Sequence, residues 1–284
     1  MQRVLITGAR GLLGTPTVRM FAALEGVNVL AAGHGELDIT NQHDVRSCLE
    51  VFRPDLVINC AAFTKVDACE SESDRAERVN GHGAGIVAEA AAAVNARLIH
   101  ISTDYVFDGA STQPYRAEAP PAPAELLCAY GRSKLLGERL VQTKHPSPLI
   151  VRTAWVYGED GPCFPRTILR LAAERPELRV VSDQTGSPTY AADLAGALVA
   201  LAQTGATGIV HVTNGGQCTW YEFACEIVRL AGMTTKVIPI ATEEYPLPAR
   251  RPKYSVLDNQ KYVEIAGAPL RSWREAIAAF MRSA

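Results

Sequence analysis

Along the first hundred residues, short apolar runs alternate with longer segments in which apolar positions recur at helical spacing. "RVLIT" at Arg3 to Thr7 is closed by Gly8, and the next segment, Leu13 to Leu24, sets Val18, Phe21 and Ala22 on one helical face. Val27 to Ala32 and "DLVINC" at Asp55 to Cys60 are further strand-like runs, with a helical stretch from Val45 to Phe52 between them. The alanine-rich Glu72 to Ala93 predicts one long helix, and Arg97 to Ile101 a fourth strand. Continuous apolar strands separated by helix-length segments predict βαβ units. The expected class is α/β: a Rossmann-like parallel sheet with helices on both faces.

Four prolines at 114, 120, 121 and 123 break the rhythm and predict an irregular loop between Ser111 and Leu127. Helices are then expected at Tyr130 to Gln142, Phe164 to Ala173, Ala192 to Ala202 and Tyr221 to Leu230. Strand-like runs lie between and after them, at Leu149 to Arg152, Leu178 to Val181, Gly208 to Thr213 and Lys236 to Ile240. A proline-bearing stretch, Thr242 to Pro252, precedes a last amphipathic helix at Trp273 to Met281. No segment has linker-like composition and no repeat is present. One compact unit is expected, with a smaller C-terminal lobe beginning near residue 155.

Charge narrows the function classes. The 28 Lys and Arg against 30 Asp and Glu leave a net −2, without the positive field that nucleic-acid backbone binding requires. Seven cysteines form no CxxC and no even disulfide framework, which favours a reducing compartment. The apolar run after Met1-Gln2-Arg3 is too short for a signal-peptide core, and no apolar stretch approaches the ~18 residues of a membrane span. The expectation is a soluble cytoplasmic protein.

Gly8, Gly11 and Gly14 give GxxGxxG at the first strand-to-helix junction, the context in which a helix start receives a dinucleotide diphosphate. Residues 1–155 then read mainly as a dinucleotide-binding core. Residues 156–284 read mainly as a substrate-binding lobe with elements returning to the sheet. An acid that reads the ribose hydroxyls would stand about 20 residues after the glycines. Here Gly33, His34 and Gly35 occupy that zone, and the nearest acid, Glu36, lies beyond the strand end. Cofactor choice leans toward NADPH, with NADH tolerated.

Ser102 and Thr103 fall at the C-terminal edge of the fourth strand, where open α/β sheets bind ligands. Tyr130 and Lys134, four residues apart, share one helical face. An ammonium beside a phenol favours the phenolate, so Tyr130 is a candidate proton donor to a ketone oxygen, with Thr103 holding that oxygen and Lys134 tuning the phenol. This chemistry needs no metal. The six histidines show no metal-ligand spacing and read as structural or surface groups.

With "GARGLLG", "LDIT", "NCAAFTKVDACE", Val79-Asn80, "STDYVFDG", "YGRSKLLGE", "RTAWVYG", "DQTGSPTY" and "RPKYSVLDNQK", the chain resembles the extended short-chain dehydrogenase/reductase superfamily. Within it, the sequence is similar to the dTDP-4-dehydrorhamnose reductase family over almost its whole length. That resemblance implies NAD(P)H-dependent reduction of the C4 ketone of a dTDP-linked 4-keto-6-deoxy sugar, dTDP-4-dehydro-β-L-rhamnose, to dTDP-β-L-rhamnose. It implies Thr103, Tyr130 and Lys134 as the catalytic set, and Gly8, Gly11, Leu12, Leu13 and Gly14 at the diphosphate. Asp38 and Ile39 would meet the adenosine end, and Ala61, Ala62 and Thr64 the ribose and nicotinamide. Thr64, Val66, Thr103, Tyr130 and Trp155 would face the substrate. Another nucleotide-sugar ketoreductase and a noncatalytic regulatory subunit are the alternative readings.

Several residues keep two readings. Trp155 is either a strand-end anchor or, by the resemblance, a sugar contact. Arg251 is either a surface ion-pair partner or a partner for the nucleotide diphosphate. Asp183, Gln184 and Ser187 form a turn or line the sugar site, and Asp104 and Asp108 are expected to cap loop amides. Thr15 and Pro16 stand where relatives with a magnesium-bridged dimer tend to carry an acid. No metal is therefore expected, and the assembly is read as monomer or dimer.

Overall fold

The structure, a computed structural model, describes residues 1–283. In chain order its main elements begin with β1 (Arg3–Thr7), α1 (Gly14–Ala22), β2 (Asn28–Ala32), α2 (Gln42–Phe52), β3 (Leu56–Asn59) and α3 (Val66–Ser71). There follow α4 (Ser73–Ala76), a π-helical turn (Glu77–Gly83), α5 (Ala84–Ala93), β4 (Arg97–Thr103), α6 (Ala129–Lys144) and β5 (Leu149–Thr153). Six strands, β10 (Gly208–His211) included, form one parallel sheet in the order β10-β5-β4-β3-β1-β2.

Alternation along the strands explains why both faces are covered. Val4, Ile6, Leu56, Ile58, Ile99 and Val151 pack in one core with Phe21 of α1 and Leu194, Leu198 and Leu201 of α8 (Ala191–Ala202). Leu5, Val57, Leu98 and Ile150 turn to the other face, against Val45 and Leu49 of α2, Val87 and Ala88 of α5, and Val141 of α6. Each such large aliphatic side chain contributes roughly 1.5–3 kcal/mol on burial. The chain leaves β1 toward β2, then returns past it to β3, so the order reverses between β1 and β3. That is where an open α/β sheet forms its ligand crevice.

The C-terminal part completes the sheet with β10 and places α8 against α1, and it also builds a separate apolar cluster. In that cluster Tyr157, Phe223, Trp273 and Phe280 pack around α9 (Trp220–Leu230) and α11 (Trp273–Ser283). The cluster is framed by α7 (Phe164–Glu174) and by the parallel pair β7 (Glu177–Val181) and β12 (Lys236–Ile240). Two-residue pairs complete it: β6 (Val156–Tyr157) with β9 (Thr189–Tyr190), and β8 (Thr185–Gly186) with β11 (Cys218–Thr219).

One expected element needs correction. The segment Glu72 to Ala93 is not one helix, because a π-turn interrupts it. The turn sets Asn80 facing sideways, where its side chain accepts from the Phe63 amide (2.7 Å) and donates to the Phe63 carbonyl (3.0 Å) and Ser133 Oγ (2.9 Å). Helices α3 and α10 (Gln260–Ala266) were not anticipated; both are under two turns long, too short for a periodic signature. No helix among the described residues is long and apolar enough to cross a membrane.

Candidate active site

The crevice is built where β1 and β3 end. Gly8 has φ +63°, and a Cβ there would lie 2.6 Å from the Ala61 amide nitrogen. Only glycine admits this backbone contact. A Cβ on Gly14 would strike the Gly8 carbonyl, whereas one on Gly11 meets that oxygen alone, at 3.2 Å. Gly8 and Gly14 thus fold the turn tightly, and Gly11 leaves its outer side open. No side chain caps the start of α1, and the amides of Leu12 and Leu13 have no protein acceptor among the described residues. This open turn with unsatisfied donors fits a dinucleotide diphosphate.

At the end of β2 the turn Gly33–Leu37 folds Glu36 back over Gly33, whose carbonyl accepts from the amides of Glu36 (3.1 Å) and Leu37 (2.9 Å). The separation in sequence suggested that no acid reaches this point. In space one does, and Arg10, from within the glycine turn, pairs with it. Asp38 accepts from the Thr40 amide (2.9 Å) and hydroxyl (2.8 Å), and the amide bond is the main cause holding its carboxyl below the usual range. Ile39 is buried, with its side chain against Gly83 of the π-turn. Its side chain is thus a core group, leaving only its backbone for a ligand.

Thr7 Oγ1 donates to Asn59 Oδ1 (2.7 Å), and the same oxygen accepts from the Ala61 amide (3.2 Å), which fixes the chain into Ala61 and Ala62. Thr64 is exposed and Val66 half-buried at the start of α3. On the next strand, Thr103 closes β4 and its hydroxyl accepts from the Tyr105 amide (3.2 Å). That hydroxyl also donates to Asp104 Oδ1 (3.1 Å), so Asp104 holds the threonine as well as the backbone around it. Asp108 does accept from an amide, that of Ala110 (3.0 Å).

Cys128 Sγ accepts from the Gly131 amide (3.4 Å) at the start of α6, which brings Tyr130 onto the first turn beside Thr103. The Tyr130 ring stands edge-on to Tyr105, with centroids 5.4 Å apart. Burial pushes the Tyr130 phenol above its ordinary value, and the neighbouring Thr103 hydroxyl opposes this. Lys134, fully enclosed, donates from Nζ to the Ile101 carbonyl (2.7 Å), and burial draws its pKa down to about 8. In the resting site the Lys134 ammonium is not the main influence on the phenol. Its ammonium is held against the strand, and desolvation controls the phenol.

Beyond Tyr130, Trp155 stacks on Trp220 at 3.5 Å with 6° between planes. Its φ of +47° is unusual for a bulky residue, and Gly186 packs directly on the indole, where a Cβ would collide. Trp220 lines a cleft of about 1100 Å³ together with Tyr105, Phe164, Gln184, Arg251 and Lys253. Arg251 is paired with Asp67 (2.5 and 2.8 Å), while Arg250 and Lys253 have no carboxylate partner among the described residues. Asp183 and Gln184 both bond Thr242, which ties the cleft wall together. Arg10, Asn80 and Glu138 each lie inside a motif named above, but their partners come from distant segments, so only the fold shows what they hold.

A family model described as RmlD substrate binding domain matches residues 1–284. The chain is 45% identical over 282 residues to the spore coat polysaccharide biosynthesis protein SpsK of Bacillus subtilis, covering 99% of this chain and 98% of that one. It is 44% identical over 280 residues to dTDP-4-dehydrorhamnose reductase of Mycolicibacterium smegmatis, covering 97% and 84%. The crystal structure of dTDP-4-dehydrorhamnose reductase from Bacillus anthracis in complex with NADP superposes with a TM-score of 0.94 at 41% identity, covering 100% of this chain and 99% of that one.

Proposed function

This chain belongs to the RmlD family, the dTDP-4-dehydrorhamnose reductases of the extended short-chain dehydrogenase/reductase superfamily, and on that premise we propose that it reduces the C4 ketone of dTDP-4-dehydro-β-L-rhamnose to give dTDP-β-L-rhamnose. The observation that carries the reading is the meeting of Thr103 and Tyr130 at the strand edge, with Lys134 one turn further along α6 and the open glycine turn across the same crevice.

Gly8, Gly11, Leu12, Leu13 and Gly14 hold the dinucleotide diphosphate. Asp38 and the Ile39 backbone meet the adenosine end, and Ala61, Ala62 and Thr64 the ribose and nicotinamide. Reduced nicotinamide, when bound, supplies the hydride. Thr103 turns its hydroxyl from Asp104 to donate to the ketone oxygen, and Tyr130 gives that oxygen the proton, so no free alkoxide has to leave the site. The upward shift of Tyr130 keeps the phenol protonated at neutral pH, as a proton donor requires. Lys134, charged below about pH 8, stabilises the phenolate left behind until solvent returns the proton. Trp155, Thr64 and Val66 border the sugar. Arg250 and Lys253 bring positive charge to the cleft, suited to a nucleoside diphosphate.

The test supplies purified protein with dTDP-4-dehydrorhamnose made in situ from dTDP-glucose by a dehydratase and an epimerase. Consumption of NADPH with formation of dTDP-rhamnose is expected. Formation of a different 6-deoxy sugar, or no consumption, overturns the reading.

The cofactor preference is proposed to be NADPH. Arg10 packs against Gly33 at the end of β2, where a ribose 2′-phosphate would lie, and it exchanges Glu36 for that phosphate. Arg10→Ala is expected to lower NADPH affinity at least ~10-fold, about 1.4 kcal/mol, with little change for NADH. Dissociation constants for both cofactors decide it, and an equal loss for both removes Arg10 from 2′-phosphate recognition.

A further inference from the structure

Behind the reacting groups lies a charged cluster that the reduction described above leaves unused. Glu138 follows Lys134 by four residues, as Lys134 follows Tyr130, so the three share one face of α6. The Glu138 carboxylate is almost entirely enclosed. Its Oε1 accepts from Ser102 Oγ (2.5 Å) and Arg152 Nε (2.8 Å), and its Oε2 from an Arg152 terminal nitrogen (2.7 Å). Ser102 immediately precedes Thr103 on β4, and Arg152 lies beside it on β5. The Lys134 ammonium is bonded to the carbonyl of Ile101, the residue before Ser102.

A buried ion pair of this kind rarely adds net stability, because two charges must leave water. Its place at the join between the strand that ends in Thr103 and the helix that carries Tyr130 gives it another use. Resting on the reduction proposed above, we propose that Glu138 is a positioning residue, whose carboxylate ties Ser102 to α6 and supplies the negative charge that keeps the Lys134 ammonium protonated in a buried site.

The groups facing Lys134 are few. On its own helix they are Tyr130 and Glu138; on β4, His100; after β3, Cys60; on β5, Arg152, which pairs with the Glu138 carboxylate. Burial keeps His100 neutral and pushes the Cys60 thiol up to about 12, so neither supplies a countercharge at neutral pH. The opposite flank of α6 meets the π-turn through Ser133 and Asn80, which are uncharged. Glu138 is therefore the anion that offsets the desolvation of Lys134, and Arg152 moderates it.

Two variants damage the ion pair alike but change the charge at Lys134 in opposite senses. Glu138→Gln removes the anion, and the alkaline limb of the kcat profile with NADPH is expected to move at least about one pH unit lower. Arg152→Gln leaves the carboxylate to Lys134 alone, and the limb is expected to move higher. Glu138→Asp, which keeps the charge, should hold the limb near the wild-type position. A merely structural pair would lower kcat in both variants at every pH without moving the limb. That result, shifts of the same sign, or a wild-type profile flat through pH 10 overturns the proposal. Either charge variant decides the matter if the other fails to fold. Absence of reductase activity in the wild type would instead count against the proposed reaction.

Discussion

Tyr130→Phe is expected to lower turnover with dTDP-4-dehydrorhamnose by at least ~10²-fold while fold and dinucleotide binding persist. The substitution removes one oxygen. The ring keeps its edge-on contact with Tyr105 and its place in the small cluster with Cys69, Cys128 and Ala249. Loss of one hydrogen-bonding hydroxyl costs about 1 kcal/mol of stability, against about 2.7 kcal/mol in the barrier for a hundredfold rate loss. The two effects are therefore separable. Turnover near wild type in a folded variant would remove Tyr130 from proton transfer and leave Thr103 or water as donor.

The sheet was legible because a parallel strand covered on both faces must be apolar through its middle, as at Val4, Leu5 and Ile6, and glycine must stand where Gly8 meets the backbone of Ala61. Tyr130 and Lys134 were legible for a similar reason: spacing along one helix is a local property. Contacts that join distant segments were hidden. Arg10 appears remote from the end of β2 until the turn at Gly33 folds Glu36 back onto it. Glu138 reads as a surface helix residue until Ser102 and Arg152, 36 and 14 residues away, close around it. The π-turn was hidden because alanine-rich composition favours helix of any continuous kind, while the turn answers to Asn80 and its partners Phe63 and Ser133.

His211 gives the second large effect, in stability at mildly acid pH. It ends β10 with no exposed surface, and its Nδ1 lies 3.0 Å from the Tyr115 carbonyl, so that nitrogen carries the proton. Nε2 is buried without a partner, and the Arg152 guanidinium is close enough to oppose a second proton. Burial first, and Arg152 next, draw the imidazole down to about 3. An unfolded histidine takes up a proton near pH 6.5, so below that pH the unfolded chain binds a proton that the folded chain refuses. The stability involved is fully present above about pH 6.5 and is lost as pH falls toward the folded value, about 2 kcal/mol by pH 5. His100, buried and also drawn downward, acts in the same sense. Asp104 acts in the opposite sense: burial raises its carboxyl to about 6, so between that pH and its unfolded value the folded chain holds the extra proton. A comparison of variants isolates His211 from both. His211→Asn retains an amide donor toward Tyr115 and cannot titrate, so its loss of unfolding free energy between pH 7 and pH 5 should be smaller than the wild type's by about 2 kcal/mol in urea titrations. Because Tyr115 belongs to the proline-rich loop after β4 and bonds the Val256 carbonyl (2.8 Å), wild-type protein at pH 5 should also show faster proteolysis in that loop than the variant. Equal losses in the two proteins would mean that His211 gains its proton within the fold, with water reaching Nε2.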